Sequence, residues 1–277
     1  MELYHKNNLA VSRITTRNYS TSFSLAVRML SREYREAVYA IYGFVRYADE
    51  IVDTFLTYDR RTLFDEFQDE TWKGINRGIS TNPILDSFQW VVNRYSIDHE
   101  LIRSFLYSME LDLEQKVYDE QMLRTYIYGS AEVVGLMCLQ VFYHNQPDQY
   151  EKLKPTAQKL GEAFQKVNFL RDASDDFEGK GRIYFKNIDF SHFDLATKRR
   201  IEAEIEQDFR EAYKGIVQLK KEVRFGVYLA YKYYLKLLRK IKDAPPDSIL
   251  RQRYSVSNPR KILLMLSSFA RNQMNLL

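Results

Sequence analysis

The chain has 277 residues, 45% of them apolar, with only 10 glycines, 6 prolines and one cysteine. That composition excludes a disordered chain, a collagen-like repeat and a disulfide scaffold, and it disfavours the many turns of an all-β protein. Forty-one basic against 37 acidic residues leave a formal charge of +4, too even for a dedicated nucleic-acid binder, so no nucleic-acid partner is expected.

In chain order, apolar positions at three- and four-residue steps predict helices near 21–30, 34–56, 60–76, 83–94, 98–117, 121–143, 148–177, 196–222, 225–242 and 258–275. Breaks fall at Thr81-Asn82-Pro83, Asn145-Gln146-Pro147 and Ala244-Pro245-Pro246, and an irregular stretch covers about 178–195. No low-complexity linker or short-period repeat divides the sequence. The expected architecture is a single all-α domain over residues 1–277. The first eight residues lack the apolar run of a leader, and no stretch reaches the ~18 uncharged apolar residues of a membrane-spanning helix. Cys138 cannot form an internal disulfide, which fits a reducing compartment. A cytoplasmic location is expected, with contact at one membrane face as a secondary reading.

Two acidic clusters carry the chemistry. Asp49 and Asp53 are four residues apart and share a helix face with Tyr42 and Arg46. An isolated pair of this kind is as compatible with a solvated face as with a binding site. Here the flanking residues from Tyr39 to Val52 are mostly apolar, and carboxylates on a buried helix need a partner. In the second cluster Gln165, Asn168, Asp172 and Asp176 form one narrow stripe of oxygen-bearing side chains. Such a stripe suits a hard cation: Mg²⁺ takes oxygen ligands and retains waters and substrate phosphates. Two such helices facing each other could grip a diphosphate through metal ions, with Arg46 and Arg171 beside the phosphate oxygens. The residues therefore predict a Mg²⁺-dependent enzyme that ionises or transfers a diphosphate. Zinc is not expected, because His5, His99, His144 and His192 show no ligand spacing and Cys138 has no partner.

Several motifs, in order, resemble the squalene/phytoene synthase family of head-to-head prenyl transferases, and most resemble its bacterial phytoene synthases. They are Ser22-Phe23-Ser24-Leu25-Ala26; the run from Arg35 to Arg46 leading into Asp49-Glu50-Ile51-Val52-Asp53; Met109-Glu110-Leu111-Asp112-Leu113; the segment from Tyr126 to Met137; and the segment from Asn168 to Asp176, followed by Gly181-Arg182-Ile183-Tyr184-Phe185. The similarity runs from about Ser20 to Leu266. Departures are Ile127, Glu132 and Lys186; Glu132 is expected to point away from the substrate funnel.

The resemblance implies an isoprenoid-synthase bundle of helices around a central cavity. It also implies condensation of two prenyl diphosphates through a cyclopropyl intermediate. The leading expectation is two geranylgeranyl diphosphates giving phytoene in carotenoid synthesis; squalene or dehydrosqualene from farnesyl diphosphate is the alternative. Asp49, Asp53, Asp172 and Asp176, with Tyr126, are the implied catalytic residues. Asn168 joins the four aspartates as a metal ligand, the ion being Mg²⁺ with Mn²⁺ as a substitute; NADPH is not expected. Ser22, Phe23, Tyr42, Arg46, Gln165, Asn168 and Arg171 are implied at the substrate. Asp175 would lie beside the stripe, behind the ligands.

Other features have two readings each. Gly129, Val133, Val134 and Met137 could line a hydrocarbon tunnel or fill the core, and Phe23, Leu25, Phe44 and Phe169 could face a carbocation or pack internally. The loop at 179–182 could close over phosphate or be plain surface. Cys138 is expected to be a core thiol. The basic, tyrosine-rich segment 214–242 could rest on an anionic membrane, although a solvated face with a packed reverse side is the simpler reading. The amphipathic tail from Ile262 is expected to be a closing core helix. A catalytically dead relative or a single-substrate terpene cyclase are the competing classes. All the paired aspartates are present, against the first; the central 126–137 motif argues against the second.

Overall fold

A computed structural model describes residues 1–114, 118–174 and 194–273, and among them every regular element is helical. The helices are α1 (Glu2–Tyr19), α2 (Thr21–Arg28), α3 (Arg32–Asp53), α4 (Arg60–Arg77), α5 (Pro83–Tyr95), α6 (His99–Glu114) and α7 (Glu120–Ile127). A π turn, Tyr128–Glu132, leads into α8 (Val133–Phe142); then come α9 (Pro147–Ser174), α10 (Leu195–Ile216), α11 (Lys221–Lys242), the short α12 (Pro246–Ile249) and α13 (Asn258–Gln273). Local chemistry fixes the ends. Ser20, Asp59, Asn82, Asp119 and Asp194 each accept a backbone N–H of the helix that follows. Pro83 opens α5, and Gly78 closes α4 at φ 72°, where a side chain would be strained.

The apolar core centres on α3. Ala37, Ala40, Ile41, Phe44, Ala48 and Val52 are almost fully buried, and Phe44 stacks on Phe88 with ring centroids 3.8 Å apart. Around this helix pack α1, α5, α6 and α8, while α9 and α10 pair on the other side of the bundle.

Four features depart from the sequence reading. First, α1 is a helix that the periodicity does not reveal, because its inward stripe is polar: Asn8, Ser12, Thr15 and Thr16 are buried. It is held by the fully buried Asp86, which accepts from Asn8 Nδ2 at 2.8 Å and lies 2.9 Å from His5 Nδ1. Second, the helix expected over 121–143 is broken by the π turn. Third, the run Glu120–Phe142 is, by length and composition, apolar enough to cross a membrane, contrary to expectation. It packs against α6 and α9, and half of its most apolar window is buried, so core packing accounts for the same composition. Fourth, α13 is not a closing core helix. It packs on α11 through Phe225 and Phe269, 5.8 Å apart, yet Ile262, Leu263, Leu266 and Phe269 are all exposed.

Candidate active site

A cavity runs through the bundle between α2, α3, α8, α9, α10 and α11. Its volume of about 280 Å³ is larger than the ~150 Å³ apolar cavity that stays dry and holds a benzene ring. Its walls are hydrocarbon: Val38, Ile41, Val134, Leu160, Ile216 and Val227 are typical. The polar lining includes Tyr42, Gln165, Asn168 and Tyr234, residues from three helices that meet at one end. This end is the mouth. Of the sequence-predicted substrate residues, Phe23, Tyr42, Gln165 and Asn168 line the cavity, and Phe23 stacks on Tyr42 at 4.9 Å. Ser22 lies half-buried on the first turn of α2, next to Phe23.

On the α3 side of the mouth, Asp49 stands two turns beyond Tyr42. Arg46 donates to Asp49 Oδ2 at 2.5 Å and to Glu50, and its guanidinium lies 4.3 Å from the centroid of the Tyr19 ring. Arg46 Nε is buried and, among the described residues, has no hydrogen-bond partner. An unpaired charged N–H is costly unless a ligand oxygen completes it. Burial pushes the Tyr42 phenol up to about 12; Arg46 opposes that shift, while Tyr234 and Asp49 reinforce it. Tyr42 is therefore a neutral hydrogen-bonding group at working pH. Asp53, the last residue of α3, is half-buried.

On the α9 side, Asn168 Nδ2 donates to Gln165 Oε1 at 3.3 Å, and the Tyr234 hydroxyl donates to Asn168 Oδ1 at 3.2 Å. One turn on, Asp172 Oδ1 accepts from Arg171 Nε at 2.9 Å and Oδ2 from Nη2 at 2.5 Å, and Arg253 Nε also lies 2.8 Å from Oδ1. Burial alone would lower the Arg171 pKa, but Asp172 and Tyr234 outweigh it and hold the guanidinium above its ordinary value. The two acidic helices thus share one cavity, but Asp49, Asp53, Asp172 and the two arginines are not part of its lining: Asp49 lies two turns beyond Tyr42 on α3 and Asp172 one turn beyond Asn168 on α9. Asp175, Asp176, the 179–182 loop, Lys186 and His192 lie outside the described residues.

Tyr126 does not line this cavity. It is 4% exposed in a separate cluster with Leu111, Tyr118, Ile127 and Phe169. Its hydroxyl donates to Asp112 Oδ2 at 2.9 Å, and Tyr118 donates to the other oxygen of Asp112, also at 2.9 Å. Its ring stacks on Phe169, which lies one residue past Asn168 on α9. Asp112, Tyr118, Tyr234 and Arg253 are the residues at or near this site that sequence reasoning missed. Asp112 sits inside a quoted motif and could have been singled out as a carboxylate in an apolar run; Arg253 had no local signal.

The remaining ambiguous residues divide by contact. Val134 lines the cavity, whereas Val133 and Met137 are core. Gly129 packs on α6: a Cβ there would lie 1.9 Å from Ser108 Oγ. Phe44 and Phe169 are packed internally. Cys138 faces the cavity, and burial pushes its thiol up to about 12, so it is an inert apolar wall. On α11, Tyr228 and Tyr233 are buried and Tyr234 faces the mouth, which favours the packed reading of 214–242.

The oxygen donors near the mouth are the type a hard divalent cation takes, and Asp49 and Asp172 each lie against an arginine. Among the described residues no three carboxylate, histidine or cysteine groups converge as a closed cage. Mg²⁺ commonly uses one or two carboxylates and completes its shell with water and phosphate.

Residues 16–260 match the family described as squalene/phytoene synthase. The chain belongs to the squalene/phytoene synthase family. It is 26% identical to phytoene synthase from Arthrospira platensis over 90% of this chain and 85% of that protein. It is also 26% identical to 4,4'-diapophytoene synthase from Staphylococcus haemolyticus, over 88% of this chain and 90% of that one. A ligand-bound dehydrosqualene synthase superposes with a TM-score of 0.80 at 21% identity, covering 98% of both chains, and squalene synthase HpnC from Alicyclobacillus acidocaldarius superposes at 0.72 and 21%, covering 88% of this chain and 97% of that one. These two likenesses establish the isoprenoid-synthase fold. The protein is thus a prenyltransferase of the phytoene/squalene synthase type, which joins prenyl diphosphates head to head.

Proposed function

We propose that this synthase condenses two C20 prenyl diphosphates to phytoene, with Mg²⁺ as its cation. The same reaction on C15 chains, giving squalene or dehydrosqualene, is the alternative. The observation that carries the reading is the hydrocarbon-walled cavity whose lining ends at Tyr42 and Asn168, two turns before Asp49 on α3 and one turn before Asp172 on α9. Phytoene synthases among the relatives favour the longer chain.

Each part of the site has work in that reaction. The apolar walls take the prenyl tails and exclude water, which protects an allylic cation from hydrolysis. Asp49, Asp53, Asn168, Asp172 and Asp176 would hold Mg²⁺, which supplies charge neutralisation at the departing diphosphate. Arg46 Nε offers a ready N–H to a diphosphate oxygen, and Arg171 adds fixed positive charge. Loss of diphosphate from the first substrate leaves an allylic cation. The double bond of the second attacks it, with loss of a proton, to give a cyclopropyl diphosphate. Loss of the second diphosphate and rearrangement give a cation, which loses a proton to yield the head-to-head product. The phenols of Tyr42 and Tyr234 place oxygen and aromatic density beside the developing charge. Tyr126 would act at the edge of the site through its stacking on Phe169. The exposed apolar side chains of α13 support contact with one membrane face, where a hydrocarbon product would partition.

The test is incubation of the purified protein with Mg²⁺ and C15 or C20 prenyl diphosphate, with and without NADPH, followed by hydrocarbon extraction. A C40 product without NADPH is expected. A C30 product would select the alternative, and no hydrocarbon from either substrate would overturn the reading.

A further inference from the structure

We propose that Phe142 is the floor of the cavity and sets the longest prenyl chain the site accepts. The proposal deepens the prenyl diphosphate reading above.

Helices α8 and α9 run antiparallel along the cavity. A Cβ on Gly161 would lie 2.8 Å from Ala131 O, and one on Gly135 would lie 3.4 Å from Ala157 O, so advancing along α8 means retreating along α9. Following that register, the cavity passes from Asn168 at the mouth to Leu153 at its far end, roughly 22 Å at ~1.5 Å per residue. Phe142, two turns beyond Gly135, ends α8 at that far level.

A second, polar cleft opens on the outside of the bundle, lined by Arg32, Tyr34, Arg94, His144 and Lys220 among others. Among the described residues Phe142 is the one that lines both spaces. Its ring is therefore the partition between hydrocarbon and a wet, charged surface. Behind it stands a brace. Tyr34 packs edge-on at 5.7 Å, Lys220 Nζ donates to the Tyr34 hydroxyl at 2.6 Å, and the Lys220 backbone N–H donates to the Tyr143 hydroxyl at 3.0 Å. A prenyl tail reaching this level meets a ring that is held from behind, and beyond it a cleft rich in charged groups, among them Arg32, Arg94 and Lys220, that would lose water without gaining a partner. Removing the ring joins the two spaces and lengthens the channel.

The experiment measures binding of C15, C20 and C25 prenyl thiodiphosphates, which do not ionise, to wild type, Phe142→Ala and Phe142→Leu, alongside hydrocarbon formation from the natural diphosphates. Thermal melting checks that each variant is folded, and Phe142→Leu carries the test if the alanine variant is not. The expected result is a preference for longer over shorter chains that rises by about tenfold in Phe142→Ala, with Phe142→Leu between. Chain-length preferences within about twofold of wild type in the folded variants would overturn the proposal. A shifted binding preference without hydrocarbon from the wild type would instead sink the functional reading and leave the floor standing.

Discussion

The Tyr234 hydroxyl donates to Asn168 Oδ1 at 3.2 Å, tying α11 to α9 at the cavity mouth. The same phenol acts on Arg171 and on Tyr42, so it touches the electrostatics of both acidic helices. Its ring stacks on Phe164 at 3.9 Å, a contact phenylalanine would keep. Tyr234→Phe therefore removes the hydrogen bond to Asn168 and the one shared with Arg171, with little change in packing. The expected outcome is a fall in kcat/KM of about 3- to 10-fold with a melting temperature close to wild type. Steady-state kinetics with the preferred prenyl diphosphate check it, and an unchanged kcat/KM would remove Tyr234 from the site.

Asp172 is held by two arginines, Arg171 and Arg253. Substitution by asparagine keeps the shape and removes the charge that a divalent cation needs. Asp172→Asn and Asp49→Asn are each expected to lower kcat by at least about 100-fold while the far-ultraviolet dichroism stays helical. Chelation of the wild type should abolish turnover, and added Mg²⁺ should restore it. Turnover at the wild-type rate in either variant would contradict the metal assignment.

The sequence made the helices legible wherever their buried face is apolar, and α3 is the clearest case. It concealed α1, whose inward residues Asn8, Ser12, Thr15 and Thr16 carry no hydrophobic period and are satisfied in part by Asp86, far along the chain. The acidic motifs were readable because carboxylates at helical spacing among apolar neighbours demand a partner. The cavity was not. Val133 and Val134 are adjacent and chemically identical, yet one is core and the other is wall, and only the approach of α9 decides which. Tyr234 was hidden for the same reason. A tyrosine on a basic helix reads as surface or core until Asn168 is brought against it from 66 residues away. In α13 the amphipathic pattern was read correctly as a pattern, but what covers an apolar face is not written in the face itself.

Gly129 sits in the π turn against α6. A Cβ at this position would lie 1.9 Å from Ser108 Oγ and 2.2 Å from the carbonyl oxygen of Ser104, and the latter is backbone that cannot rotate away. Gly129→Ala must push α6 and the π turn apart, against helix propensity that would otherwise favour alanine. The expected loss is about 1–3 kcal/mol, read from chemical denaturation. A neutral or stabilising result would mean that this contact yields more easily than its geometry implies.

Glu132, also in the π turn, is half-buried and has its carboxyl pushed up to about 7, first by burial and then by the charge of Glu162; Gln158, Lys159 and Lys166 oppose the shift. Gln158 Nε2 donates to Glu132 Oε2 at 2.9 Å. Glu162 faces the same burial, but hydrogen bonds from Lys159 and Lys166 outweigh it and lower its pKa, so of the two carboxyls Glu132 is the one that retains a proton. The folded protein thus binds this proton more tightly than the unfolded chain, whose glutamate titrates near 4.5. The stabilisation is fully present below the unfolded value and is lost as pH rises through the folded one. Glutamine imitates the protonated state at every pH. Glu132→Gln should therefore match the wild type at pH 4 and exceed it at pH 8 by roughly 1 kcal/mol, a figure reduced for partial solvent exposure, or about 2–4 °C in melting temperature. Melting curves across that range check it, and a difference between the two proteins that does not vary with pH would show that Glu132 is not the group responsible.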